Sequence, residues 1–149
     1  RVGDEVWVYY YAMNYPHAHP VDREQAPPEI RALKGTKYRR GVGLAVWRLD
    51  RFVSADSPAA GGTLTTVPIV FAGNRLELNA ATRPEGQIVV ELLDAAGKVL
   101  ARCKPVSGDD LRHHVTWESA MDLAALAGKP VALRFCMRNA ELYSFAFRR

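Results

Sequence analysis

Residues 129–147 read KPVALRFCMRNAELYSFAF. Val131, Leu133, Phe135 and Met137 alternate with Ala132, Arg134, Cys136 and Arg138. A period of two gives a strand one apolar face and one face carrying arginines. Asn139 and Ala140 break the run, and Tyr143, Phe145 and Phe147 then alternate with Leu142, Ser144 and Ala146. Two such runs across a short polar break predict an antiparallel hairpin. A lone hairpin is marginal in water, so it requires a sheet and a second layer.

Working back from this stretch, short strands are expected at Thr63–Val67, Ile69–Phe71, Arg75–Ala80, Gln87–Leu93, Lys98–Arg102 and Val115–Glu118. Their spacing is that of a sandwich or barrel. Pro84-Glu85-Gly86 and Asp94-Ala95-Ala96-Gly97 read as turns between them, with Gly97 free to take positive φ. Residues 119–129, SAMDLAALAGK, predict a single helical turn ending at Gly128. The fold class is therefore all-β, an antiparallel, jelly-roll-like β-sandwich over residues 58–149.

Residues 1–57 have another character. Glu5–Met13, EVWVYYYAM, carries apolar or aromatic side chains on both faces, as does residues 42–50, VGLAVWRLD. Strands of that kind are expected between neighbours. Between them lies residues 14–40, rich in proline and charge and without periodicity, which reads as a long loop with one helical turn near Pro28–Leu33. The chain opens on Arg1 directly before a strong strand, so an excised or processed C-terminal portion of something longer is expected.

Composition excludes little. The 149 residues carry a net charge of +4 and are 48% hydrophobic, ordinary for a globular chain large enough to build its own core. The basic residues are scattered and form no stripe, so no nucleic-acid partner is expected. No apolar run reaches the roughly 20 residues that span a bilayer, so no membrane partner is expected either. Cys103 and Cys136 lack zinc-ligand spacing; free thiols are the favoured reading and a bridge between two strands the alternative, with Cys136 on the strand face opposite Phe135.

No catalytic motif emerges. Asp4 and Glu5 are neighbours on a strand and point to opposite faces, so they cannot flank one bond. Asp109-Asp110 supplies two of the six to eight oxygens calcium requires, and no other cofactor is implied. Gly41-x-Gly43 precedes a strand rather than a helix, which defeats a dinucleotide reading. His113-His114 should place one ring inward and one outward. The remaining signal is aromatic: Trp7, Tyr9, Tyr11 and Tyr15 lead into Asn14, His17 and His19. Flat rings beside polar donors suit sugars, whose apolar faces stack while their hydroxyls bond. Tyr15, Asn14, His17 and His19, with Trp117 and Tyr143 in the second half, are the candidate carbohydrate-binding residues.

GDEVWVYYY at residues 3–11 and GVGLAVWRLDRFVSAD at 41–56 resemble the final blade of five-bladed β-propellers of the glycoside hydrolase type. Arg51 stands where such sequences often have glycine. GGTLTTVPIVFAGNRLELNA, QIVVELLDAAGKVL and GKPVALRFCMRNAELYSFAF are similar to the β-sandwich that follows those propellers in bacterial secreted proteins. The resemblance implies a secreted or periplasmic accessory domain, partnered by an N-terminal propeller catalytic domain and by a poly- or oligosaccharide. Catalytic carboxylates would lie on earlier blades, so this chain alone should not hydrolyse a glycosidic bond. Three roles follow: a carbohydrate-binding module, a structural partner of the propeller, or a part of a glycosidase that lends loop residues to a site completed elsewhere.

Overall fold

The computed structural model describes residues 1–13, Pro28 and 40–149, so the predicted 14–40 loop lies almost wholly outside the described residues. The chain forms two compact units, Arg1–Leu49 and Asp50–Arg149.

The first unit is a two-stranded antiparallel ribbon of β1 (Glu5–Met13) and β2 (Arg40–Arg48). Its register runs from Glu5 opposite Arg48 to Met13 opposite Arg40. Alternation then sets Trp7, Tyr9 and Tyr11 with Val42, Leu44 and Val46 on one face. Val6, Val8 and Tyr10 share the other face with Ala45 and Trp47. The Tyr10 ring lies across Gly43, where a Cβ would come within 2.5 Å of it. Both faces are apolar, as the sequence suggests, yet both are open: Tyr9 is 67% exposed on the first and Tyr10 49% on the second.

The second unit contains β3 (Ala55–Ser57), β4 (Gly62–Thr65), β5 (Ile69–Val70), β6 (Arg75–Leu93), β7 (Val99–Arg102), β8 (Asp109–His114) and β9 (Pro130–Arg148). Residues 50–57, grouped with the first segment on sequence, belong here, because Ala55–Ser57 pairs with Leu142–Ala140. The predicted closing hairpin is instead one 19-residue strand, β9. Asn139 takes a left-handed φ of 46° and kinks the strand without reversing it. A type I′ hairpin turn would need two such residues, and Ala140 is not one. The two predicted strands around Pro84-Glu85-Gly86 likewise merge into β6, with Glu85 at φ 60°.

β6 and β9 pair along their whole length, from Arg75 opposite Arg148 to Leu93 opposite Ala132, and the pairing slips between Thr82 and Gln87, across from Asn139. Gly86 sits at this double kink, where a Cβ would lie 2.3 Å from the Asn139 carbonyl oxygen. The kink folds the ribbon onto itself. Phe135 and Phe145 are ten residues apart, about 33 Å in a straight strand, but their ring centroids are 5.3 Å apart. One layer holds β3, the second arm of β9, the first arm of β6 and β8. The other holds β4, β5, the first arm of β9, the second arm of β6 and β7. The architecture is thus an antiparallel all-β sandwich.

Between the layers lies the core of Leu76, Leu78, Ile88, Val90, Leu92, Val131, Leu133 and Phe135, all essentially inaccessible. Phe71 stacks on Phe147 with centroids 3.8 Å apart. The predicted Asp94–Lys98 turn forms: the Asp94 carboxylate accepts from the Ala96 and Lys98 amides, and Gly97 takes φ 82°. The predicted helical turn forms as a 3-10 turn over Leu123–Leu126, capped by Asp122 and ended at Gly128.

Candidate functional site

Four of the six candidate sugar-binding residues, Asn14, Tyr15, His17 and His19, lie outside the described residues. Trp117 is half-buried, packed on the core, and its backbone bridges to Cys103. Tyr143 is on the second arm of β9, in the other layer. These two rings therefore do not share one platform.

Tyr143 is held from two sides. The Arg51 guanidinium lies over its ring, 4.6 Å from the centroid. Its hydroxyl donates to the Glu141 carboxylate at 2.6 Å. That hydrogen bond to a neighbouring anion, aided by burial, raises the phenol above its ordinary value. Arg51 was visible in the sequence only as a departure from a glycine pattern. Its side chain is 9% exposed and pairs with Asp109 at 2.7 Å. Its Nε donates to Asn79 Oδ1 at 2.8 Å, and its Nη2 reaches the Ala80 and Asp110 carbonyls at 3.3 and 3.1 Å. One planar fork thus fixes the entry segment of the sandwich to β6, β8 and β9.

Asp109, a calcium candidate, is therefore committed to Arg51, and the Asp110 carboxylate accepts from the Arg112 amide. Among the described residues, no three His, Cys, Asp or Glu side chains are grouped to hold a metal. Asp4 and Glu5 are also engaged locally: Asp4 lies 3.8 Å from Arg1, and Glu5 accepts from the Trp7 indole. His113 points inward, its Nε2 3.1 Å from the Asp110 amide, while exposed His114 pairs with Glu77. Both cysteines are free thiols. Cys103 faces the core, and burial raises its thiol above the ordinary value.

Described residues of the second unit line two concavities. An apolar groove of about 530 Å³ opens at the sandwich mouth, lined by Val53, Leu64, Leu142 and Phe145. It exists because β3 covers β9 only at 140–142, leaving the mouth beyond it open. A second groove, about 350 Å³, lies on the outer face of the other layer. There the register aligns Thr63, Cys136 and Val89 across three strands, with Gln87 and Arg138 as the next pair. Arg102 of β7 closes the far side.

Comparison of the chain with protein-family models, curated proteins and solved structures gives no match.

Proposed function

We propose that this chain is a non-catalytic accessory portion of a larger protein, a β-sandwich whose leading strand pair completes a sheet supplied by the rest of that protein. The observation that carries this reading is the ribbon, which exposes Tyr9, Tyr11, Val42, Leu44 and Val46 on one face and Val8 and Tyr10 on the other. Isolated two-stranded ribbons are marginal in water, and apolar surface on both faces is what an inner strand pair requires. The sheet the sequence resembles is the last blade of a glycoside-hydrolase-like propeller, in a secreted or periplasmic protein. The commitment of Trp117 to the core and of Tyr143 to Arg51 and Glu141 supports a structural sandwich over one that stacks sugar on those rings.

The test compares the chain with a variant carrying Tyr9→Thr, Val42→Thr and Leu44→Thr. The unsubstituted chain should self-associate and bind an apolar dye, and the variant should do neither while the sandwich unfolds at an unchanged temperature. A monomeric, dye-silent starting chain would refute the reading.

A second reading is favoured by one observation: Trp7, Tyr9 and Tyr11 form a row of exposed rings along one face. Such a row can stack a polysaccharide. Calorimetry with neutral plant and bacterial glycans separates the two readings, because only this one predicts binding that Tyr9→Ala abolishes.

A further inference from the structure

We propose that the groove on the outer face of the sandwich binds an acidic sugar, a carboxylate-bearing saccharide of one or two rings. The residues that line it all belong to the second unit. The groove's volume, about 350 Å³, lies within the range of small-ligand sites. Its floor is Val89 and Cys136, paired across β6 and β9. Val89 is 3% exposed, so neighbouring side chains already wall it in.

The charges around this floor are unequal. Glu91 pairs closely with Arg134, at 2.9 Å, but lies 3.8 Å from Arg102. Arg102 is also 3.9 Å from Glu118. Both Arg102 contacts are longer than a charge-assisted hydrogen bond, so its fork keeps donors for an incoming anion. Arg138 gives one Nη2 donor to the Glu85 carbonyl at 3.0 Å, which holds the guanidinium in place without neutralising it. Arg102 and Arg138 both line the groove, and no carboxylate does. A planar guanidinium matches a carboxylate with two parallel bonds.

The remaining polar groups select for hydroxyls. Thr63 and Gln87 line the groove with a hydroxyl and an amide, each able to donate and accept. The wall behind them is preorganised. The Gly61 amide donates to the Pro58 carbonyl, the Asn139 amide donates to that same carbonyl, and Ser57 Oγ donates to the Met137 carbonyl at 2.9 Å. An acidic peptide is the poorer fit. Extended peptides gain affinity by adding to an open strand edge. On this face β9 and β6 already pair with each other and with β4 and β7.

The experiment titrates the full chain, at low and at moderate salt, with a galacturonate disaccharide, its neutral galactose counterpart, a short glutamate peptide and inorganic sulfate. The acidic saccharide should bind saturably in the millimolar range or tighter, about tenfold better than the neutral one, and weaken as salt rises. Arg102→Met with Arg138→Met should cost about tenfold or more, while Arg112→Met should leave affinity unchanged. Gln87→Ala, which removes no charge, provides the same reading should the double variant fold poorly. The proposal is overturned by no binding of the acidic saccharide or by binding insensitive to these groove substitutions. Equal binding of the glutamate peptide or of sulfate also overturns it.

Discussion

Replacing Arg51 by methionine tests how the entry segment is held to the sandwich. Methionine keeps most of the apolar stem and removes only the charged fork. The contacts differ in weight. The Asp109 pair is short, 2.7 Å, but that carboxylate is 54% exposed, so water replaces much of the interaction and about 0–1 kcal/mol is lost. The bond to Asn79 Oδ1 is made at 2.8 Å to a buried residue, and a hydrogen bond from a charged donor contributes about 1.5–3 kcal/mol. Stacking on Tyr143 adds about 0.5–1 kcal/mol. The two carbonyl contacts share one nitrogen at 3.1 and 3.3 Å and add little. A loss of about 3 kcal/mol follows, or a fall in unfolding temperature of roughly 12–24 °C for a unit of this size. Urea unfolding of the full chain, followed by circular dichroism, measures it. Arg51→Lys should recover less than half, because an ammonium ion can pair with Asp109 but cannot reproduce the fork. A loss below about 0.5 kcal/mol for Arg51→Met, the range of an ordinary surface substitution, would refute the reasoning.

Three other outcomes are expected. Gly86→Ala should destabilise by about 2–3 kcal/mol, since the added Cβ meets backbone oxygens of Asn139, Arg83 and Arg138 at 2.3–3.0 Å; equal stability in the same urea assay would count against the double kink. Stability should fall above about pH 9 to 10, because Cys103 and Tyr143 both hold their protons more tightly when folded than at their ordinary values of 9.0 and 10.0. That stabilisation is complete below the unfolded values and is lost as pH rises through the folded ones, so melting curves of Tyr143→Phe should decline less steeply in alkali. In the native chain a maleimide should label Cys136, half-buried on the outer face, before core-facing Cys103, and equal rates would contradict the assigned faces.

The β character of the chain is plain in the alternation of residues 131–137, because a half-buried strand must alternate. The Asp94–Lys98 turn is equally legible, since its aspartate and glycine are local requirements. What escapes local reading is the fate of Asn139 and of Pro84-Glu85-Gly86. Each looks like a chain reversal, and only their pairing across two distant strands makes them matching kinks. Arg51 escapes for the same reason: its partners come from residues 79, 80, 109, 110 and 143. The groove was half legible, because the arginines opposite Phe135 on β9 are evident from period two, while Arg102 and Thr63 join them only through register.

The strand β9 is a partner of β3, β4, β5 and β6. Among the strands of the described residues it also comes last in the chain. On the ribosome, β3, β4 and β5, which pair with β9, must therefore wait for residues 130–148 to leave the exit tunnel, while β6 has only β7 and β8 to pair with until then. Closing the β6–β9 ladder then spans 39 residues between Leu93 and Ala132 and 73 between Arg75 and Arg148 (132 − 93 and 148 − 75). Separations of that order place the domain among slow folders. Through that interval its nascent apolar strands are exposed, and a chaperone that shields extended chains should raise the soluble yield of this protein more than that of a helical domain of equal length.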